Sequence, residues 1–230
     1  MVLKNSLLPY ARPAFILTLM ILLSGCLTSR RLDKYVARQY GNRIPAVTRK
    51  NHDAIKITSS MATSSKDIST TQSTISNVLP LLFYWQCEFT KSCSLNPAIP
   101  INKFTNTLYG QATRKLSRKL NGRQLELSIK ALPHGFAIDD KAHMIWFIYG
   151  FGWDKVSIQP ETSDLIVSYK LLKDGEVIKN GEISVQNEEK NTRLGMFQSW
   201  KNATSAYIAA YNHDIDNMTR SFIDQLGMEL

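Results

Sequence analysis

From Gln124 onward the spacing of apolar residues changes twice, and those changes constrain the fold more than any other feature of the chain. Leu125, Leu127, Ile129 and Ala131 alternate with Gln124, Glu126, Ser128 and Lys130. A period of two is that of a strand with one face buried. Asp164–Leu172 and Glu176–Gln186 then flank Asp174-Gly175, the turn dipeptide of a tight hairpin, and Val167, Tyr169 and Leu171 share one side. From Trp200 the period becomes helical: Ala203, Tyr207, Ala210, Tyr211, Ile215, Met218, Phe222 and Leu226 form one stripe, with Gly227 as its stop.

The first half reads less cleanly. Residues 53–60 suit a short strand. Ser and Thr dominate from Thr58 to Asn77, which we read as a flexible loop with strand shoulders. Residues 78–89 (VLPLLFYWQCEF) are too apolar for a half-exposed strand, so they read as one buried on both faces, with Pro80 at its start or at an edge. A helix over about 101–120 follows from Phe104, Leu108, Ala112, Leu116 and Leu120, with Asn102 as cap and Asn121-Gly122 as stop. Pro133-His134-Gly135 ends the strand that follows, and residues 143–158 read as the next one. Runs of strands with segregated helices give an α+β fold, expected as a mainly antiparallel sheet with two helices (about 101–120 and 199–226) on one face.

The N-terminus has a different character. Lys4 and Arg12 precede an apolar run from Ala14 to Leu23. At about ten residues this run is short of the ~20 that span a bilayer, and it suits the core of an export signal. Leu23-Ser24-Gly25-Cys26 closes it. These four positions resemble the lipobox of bacterial lipoproteins. The resemblance implies cleavage before Cys26 and acylation of its thiol, and several acyl chains hold a protein firmly where a single chain binds only marginally. By the same resemblance, non-acidic Leu27 suits outer-membrane sorting. Thr28-Ser29-Arg30-Arg31 lacks the acidic cluster of some surface-exported lipoproteins. The expected division is a signal peptide over 1–25, a lipidated basic tether over 26–50, and a single periplasmic α+β domain over 51–230.

The chain carries a formal charge of +9. Outside the cytoplasm such charge is directed at anionic lipid or lipopolysaccharide rather than nucleic acid, although a soluble basic surface accounts for it equally. Arg30, Arg31, Lys34, Arg38 and Arg43 of the tether can touch headgroups. With Cys26 assigned to lipid, Cys87 and Cys93 remain, and an oxidising compartment permits a disulfide between them. Six residues of straight strand separate Cα atoms by about 20 Å, so the bond requires a turn near Thr90-Lys91-Ser92. Two free thiols are the alternative. Their spacing does not suit zinc.

No phosphate loop, metalloprotease helix or nucleophile elbow is present in the sequence. His134, Asp139, Asp140 and His143 lie within ten residues; they read either as metal or hydrolase ligands or as two strands joined by an Asp-Asp-Lys turn, and we expect no metal and no cofactor. His213, Asp214 and Asp216 on the last helix read as a solvent-facing group. The aromatics are more informative. Trp85, Trp146, Tyr149, Phe151 and Trp153 sit in two strands, where alternation sends neighbouring rings to opposite faces. Half of them must meet a second layer, a partner or a ligand, so an apolar groove is one reading and a closed core the other. In element order residues 53–226 resemble auxiliary lipoproteins of envelope transport systems. That resemblance implies a non-catalytic binding or assembly module working with lipid or an envelope protein complex. The alternatives are an envelope hydrolase or metal enzyme, and a purely structural surface lipoprotein.

Overall fold

A computed structural model describes residues 27–49, 53–62, 65–81, 83–146, 150–188, 191–195 and 199–230; Cys26 and the expected signal over 1–25 lie outside them. The elements in chain order are α1 (Ser29–Gln39), β1 (Ile55–Ser59), β2 (Ser69–Pro80), β3 (Tyr84–Leu95), α2 (Ala98–Lys115), α3 (Ser117–Leu120), β4 (Gln124–Ala131), β5 (Gly135–Trp146), β6 (Gly150–Pro160), β7 (Leu165–Lys173), β8 (Glu176–Val185), β9 (Thr192–Arg193) and α4 (Trp200–Glu229). The fold is α+β. It has two sheets where one was expected: a four-stranded sheet in the order β1-β4-β7-β8, and a five-stranded one in the order β2-β3-β5-β6-β9. Only the β1–β4 pair is parallel among the described strands.

The alternation from Leu125 builds the four-stranded sheet as read. Leu125, Leu127 and Ile129 are fully buried beside Val167, Tyr169 and Leu171 of the antiparallel neighbour. The hairpin turn puts Asp174 at φ 52° and Gly175 at φ 86°, the left-handed pair that a two-residue turn needs. α4 starts at Ser199, whose side chain accepts a hydrogen bond from the backbone N–H of Asn202. The helix runs through Gly227 to Glu229. Its stripe packs on α2, with the Phe104 and Phe222 rings 5.6 Å apart. The same helix reaches both sheets. Tyr207 lies 4.7 Å from the Phe136 ring on β5, while Tyr169 of β7 donates to Glu229 at 3.3 Å.

Four expectations are corrected. Residues 29–39 are not a polar tether: α1 buries Leu32 and Val36, and Leu27 is buried just before it, so this segment belongs to the core. The Ser/Thr stretch contains β2 rather than a loop. Its inward positions, Ser69 and Thr71, satisfy their hydroxyls on Asp33 of α1, which lets polar residues take core positions. α2 begins at Ala98, where buried Asn96 accepts from the Ala98 N–H at 3.0 Å. Asn102 does not cap and instead donates to the Pro45 carbonyl. Finally, residues 143–158 are not one strand: their described part is the end of β5 and most of β6, antiparallel strands paired from Phe136↔Pro160 to Trp146↔Gly150.

Candidate functional site

The strands β3 and β5 are each 12 residues long, about 40 Å when extended, and the helices cover only one end of them. At that end Cys93, Leu95, Phe136 and Ile138 are buried. Register carries the same face outward without a shift: Cys93 pairs with Phe136, Lys91 with Ile138, Phe89 with Asp140, Cys87 with Ala142 and Trp85 with Met144. Strand alternation therefore places Trp85 and Met144 on the core-facing side, beyond the point where the core stops. Trp85 is 51% exposed and Met144 39%. On β2, Ile75 is 63% and Val78 52% exposed, and at the strand end so are Leu81 (51%) and Phe83 (54%). Residues 78–89 thus form no strand buried on both faces. They form an apolar end of a sheet that projects past its helices, and no charged residue occurs between Val78 and Trp85.

The opposite face of this end is a polar and aromatic chain. Lys141 donates to Glu88 at 3.0 Å, and Gln86 Nε2 donates to the same carboxylate at 2.8 Å. That orientation leaves Gln86 Oε1 to accept from the Tyr84 hydroxyl at 2.9 Å. The Tyr84 oxygen is then the acceptor for His143 Nδ1 at 2.7 Å, which assigns the proton to Nδ1. Trp153 stacks on His143 with centroids 5.1 Å apart. The hydrogen bond from Lys141 holds the Glu88 carboxyl below its usual range.

This geometry separates the residues expected to share a groove. Trp85 pairs with Met144 on one face, whereas Trp153 pairs with His143 on the other. Tyr149 lies outside the described residues, and Trp146 and Phe151 are described only as strand positions. Ile75, Val78 and Leu81, exposed at the same end as Phe83 and Trp85, were not singled out from sequence. The signal for them was present: a run of apolar residues without alternation and broken by Pro80 suits an outer end as well as an interior.

The other candidates also resolve. Cys87 and Cys93 are both free. The turn that a disulfide requires is absent because β3 continues unbroken through Thr90-Lys91-Ser92. Burial pushes the Cys93 thiol up to about 11. His134, Asp139, Asp140 and His143 do not converge, and no Asp-Asp-Lys turn joins two strands there. His134 sits before β5, its backbone N–H donating to Glu161 at 2.7 Å, and the others are strung along β5 itself. Asp139 accepts from Thr90 and Gln159, while Asp140, one residue on, belongs to the opposite face. No group of three or more His, Cys, Asp or Glu side chains among the described residues is arranged to hold a metal. The α4 trio separates too. Asp216 pairs with Lys103 at 2.7 Å and with Thr107; His213 is exposed; Asp214 lines a groove beside Tyr207, Ala210 and Met218, where burial raises its carboxyl. That groove, about 880 Å³ between α4 and the end of β8, is lined also by Glu188 and Tyr207, and the charge of neighbouring His213 partly offsets the effect of burial on Asp214.

No known family, curated protein or solved structure matches this chain. No helix among the described residues is long and apolar enough to cross a membrane.

Proposed function

We propose that this chain is a lipid-anchored protein of the bacterial cell envelope, held through acyl chains on Cys26 and facing the periplasm from the outer membrane, and that it acts by binding rather than by catalysis. The observation that carries the binding role is the projecting end of the five-stranded sheet. Ile75, Val78, Leu79, Leu81, Phe83, Trp85 and Met144 are all exposed there. Exposed apolar residues gathered at one end of a sheet mark an interaction surface far more often than idle surface. The anchor rests on the spacing of Lys4, Arg12, the Ala14–Leu23 run and Cys26. The dispersal of His134, Asp139, Asp140 and His143 removes the constellation on which a hydrolase reading depended.

In-cell crosslinking followed by mass spectrometry tests both halves. The expected result is an N-terminal peptide starting at acylated Cys26, and crosslinks from the Ile75–Trp85 segment to lipid or to an envelope protein. A chain recovered with an intact N-terminus refutes the anchor. Crosslinks that never involve this segment refute the binding role.

A further inference from the structure

β2 is the outermost strand of the five-stranded sheet, and its far side is only partly covered. The Thr71 backbone N–H points away from β3, because Asp33 of α1 accepts from it at 3.3 Å. In an antiparallel ladder alternate residues point the same way. Ser73 and Ile75 therefore also turn their N–H and C=O outward. Past the irregularity between Ile75 and Asn77, Val78 does the same, since it stands opposite Cys87 as Ile75 stands opposite Phe89. Among the described residues no strand pairs with this edge. Natural sheets commonly guard an edge with charge, yet no charged residue occurs from Ile68 to Cys87. We propose that a second copy of the chain occupies this edge, its β2 pairing antiparallel with β2 about a two-fold axis between Ile75 and Val78. The pairing rests on the reading of this end as an interaction surface and does not involve Cys26.

Register, charge and area favour this occupant. A two-fold centred between Ile75 and Val78 sets Ile75 opposite the partner's Val78 and Thr74 opposite the partner's Leu79. An axis normal to the sheet keeps each face on its own side. Ile75 and Val78 share the face of Phe89 and Cys87, while Thr74 and Leu79 share the face of Thr90 and Gln86, so like rows meet. Ile75 and Val78 both turn their backbone groups outward, as the hydrogen-bonded pairs of a ladder require. Pro80 has no N–H and ends the ladder on one side; on the other, Thr71 is already held by Asp33. Two chains of charge +9 repel each other, and like charges facing across a ladder destabilise it. This edge brings none together. On the neighbouring β3, Lys91 is buried and Glu88 is paired with Lys141. Ile75, Val78, Leu79 and Leu81 are 42–63% exposed and lie on both faces beside the edge. An added strand meets both rows, whereas stacking on one face would cover half of them. Their side chains present roughly 400 Å² in each copy, about 800 Å² for the pair, and Ser73, Thr74 and the ladder backbone carry the total past the ~1,000 Å² of a specific contact. The two-fold uses up this edge in both copies, so the contact closes as a dimer.

The test uses the full chain, purified in detergent, in a Cys87→Ser background. Two copies with different affinity tags are coexpressed, one carrying Ile75→Cys and the other Val78→Cys. Opposed Cα atoms of a hydrogen-bonded pair stand about 5.5 Å apart, within the range that a disulfide bridges. In a glutathione redox buffer the expected product is a covalent dimer bearing both tags, with the 75–78 bridge identified by peptide mapping. Its yield is expected to be at least about tenfold above that of either variant alone, or of Ile75→Cys with Val177→Cys. Val177 is 51% exposed but belongs to the four-stranded sheet. Native mass spectrometry is expected to find two chains in the parent and one in Ile75→Lys and in Thr74→Lys, which sit on opposite faces of the edge; circular dichroism checks that each variant is folded. A monomeric parent, a bridge to Val177→Cys of equal yield, or a dimer that both folded lysine variants leave intact overturns the pairing. A photocrosslinker at Ile75 in cells separates this from the wider reading of the surface. Crosslinks to other molecules but never to a second copy overturn the dimer and keep the interaction surface, whereas no crosslink at all removes both.

Discussion

Asp33 of α1 accepts a hydrogen bond from the Thr71 hydroxyl of β2 at 2.6 Å. The same carboxylate accepts from Ser69 Oγ at 2.9 Å and from the Thr71 backbone N–H at 3.3 Å. Two buried hydroxyls and an otherwise open strand edge are thereby tied to α1. Hydrogen bonds to a charged acceptor contribute about 1.5–3 kcal/mol, and removing the acceptor leaves the donors unsatisfied. Asp33→Ala is therefore expected to lower the unfolding free energy by about 3 kcal/mol. Urea denaturation measures it, and a loss near zero would show that water replaces the carboxylate.

Cys93 gives a pH-dependent prediction. Burial raises its thiol from 9.0 to about 11 in the folded protein. The unfolded chain ionises first, so the contribution to stability is fully present below about pH 9 and is lost as pH rises toward about 11. Its size is on the order of 2 kcal/mol. Subtracting the stability–pH curve of Cys93→Ala from that of the parent isolates this component. A flat difference between pH 8.5 and pH 11, roughly the span of the two ionisations, would show that Cys93 is not buried as described.

The same thiols yield a chemical prediction. Alkylation of the denatured, unreduced protein is expected to modify both Cys87 and Cys93, because neither is bonded. In the folded protein Cys87, which is partly exposed, reacts first, and Cys93, 1% exposed, reacts only on unfolding. Peptide mass mapping reads both. A disulfide-linked peptide would require β3 to break at residues 90–92.

Phe222 stands fully buried on α4 against Phe104 of α2. Phe222→Ala removes a ring that the surrounding helices cannot fill, at a cost of about 3–5 kcal/mol. Equilibrium unfolding measures this, and a loss under about 1 kcal/mol would mean that α2 collapses onto α4 to fill the space.

Gly181 lies opposite Tyr169 on the β7–β8 hairpin, and a Cβ at that position would stand 2.8 Å from the tyrosine ring. Tyr169 is only 3% exposed, so its ring has little room to withdraw. Gly181→Ala is expected to destabilise by about 1–3 kcal/mol, with most of the loss recovered in combination with Tyr169→Leu. Additive losses in the double variant would exclude the contact as their cause.

How much of this could be read from sequence depends on where polarity and burial coincide. In α4 and β4 they do: every third or fourth residue of the one, and every second residue of the other, is both apolar and buried. At β2 they part. Ser69 and Thr71 occupy core-facing positions and look like loop residues, because their partner, Asp33, is 36 and 38 residues away. In α1 only Leu32 and Val36 declare the buried side, within a segment dense in arginine. At Val78–Trp85 the divergence is reversed: apolar residues are exposed, so a rule equating apolar with interior gives the wrong answer. The split into two sheets was hidden for another reason. It depends on which strands pair across long stretches of chain, such as Ile55 with Leu125, and spacing within a strand carries no information about that. For the candidate site, Trp85 was singled out in advance, but its separation from Trp153 required the register.

α4 has a consequence for how the molecule comes apart. Its first turns hold the five-stranded sheet through Tyr207 on Phe136 and the Tyr211 hydroxyl on the Pro133 carbonyl at 2.8 Å. Its last turn holds the four-stranded sheet through Glu229, which Lys179 meets at 2.8 Å. Loss of that one rod uncovers Phe136 on one sheet and frees Lys179 on the other, while α1 stays on β2 through Asp33. Amide protons deep in Leu125–Ile129 and in Phe136–Ile138 should thus exchange with a common free energy of opening, although they belong to separate ladders. Melting is accordingly a single event in which the last 30-residue segment of the chain acts as the keystone.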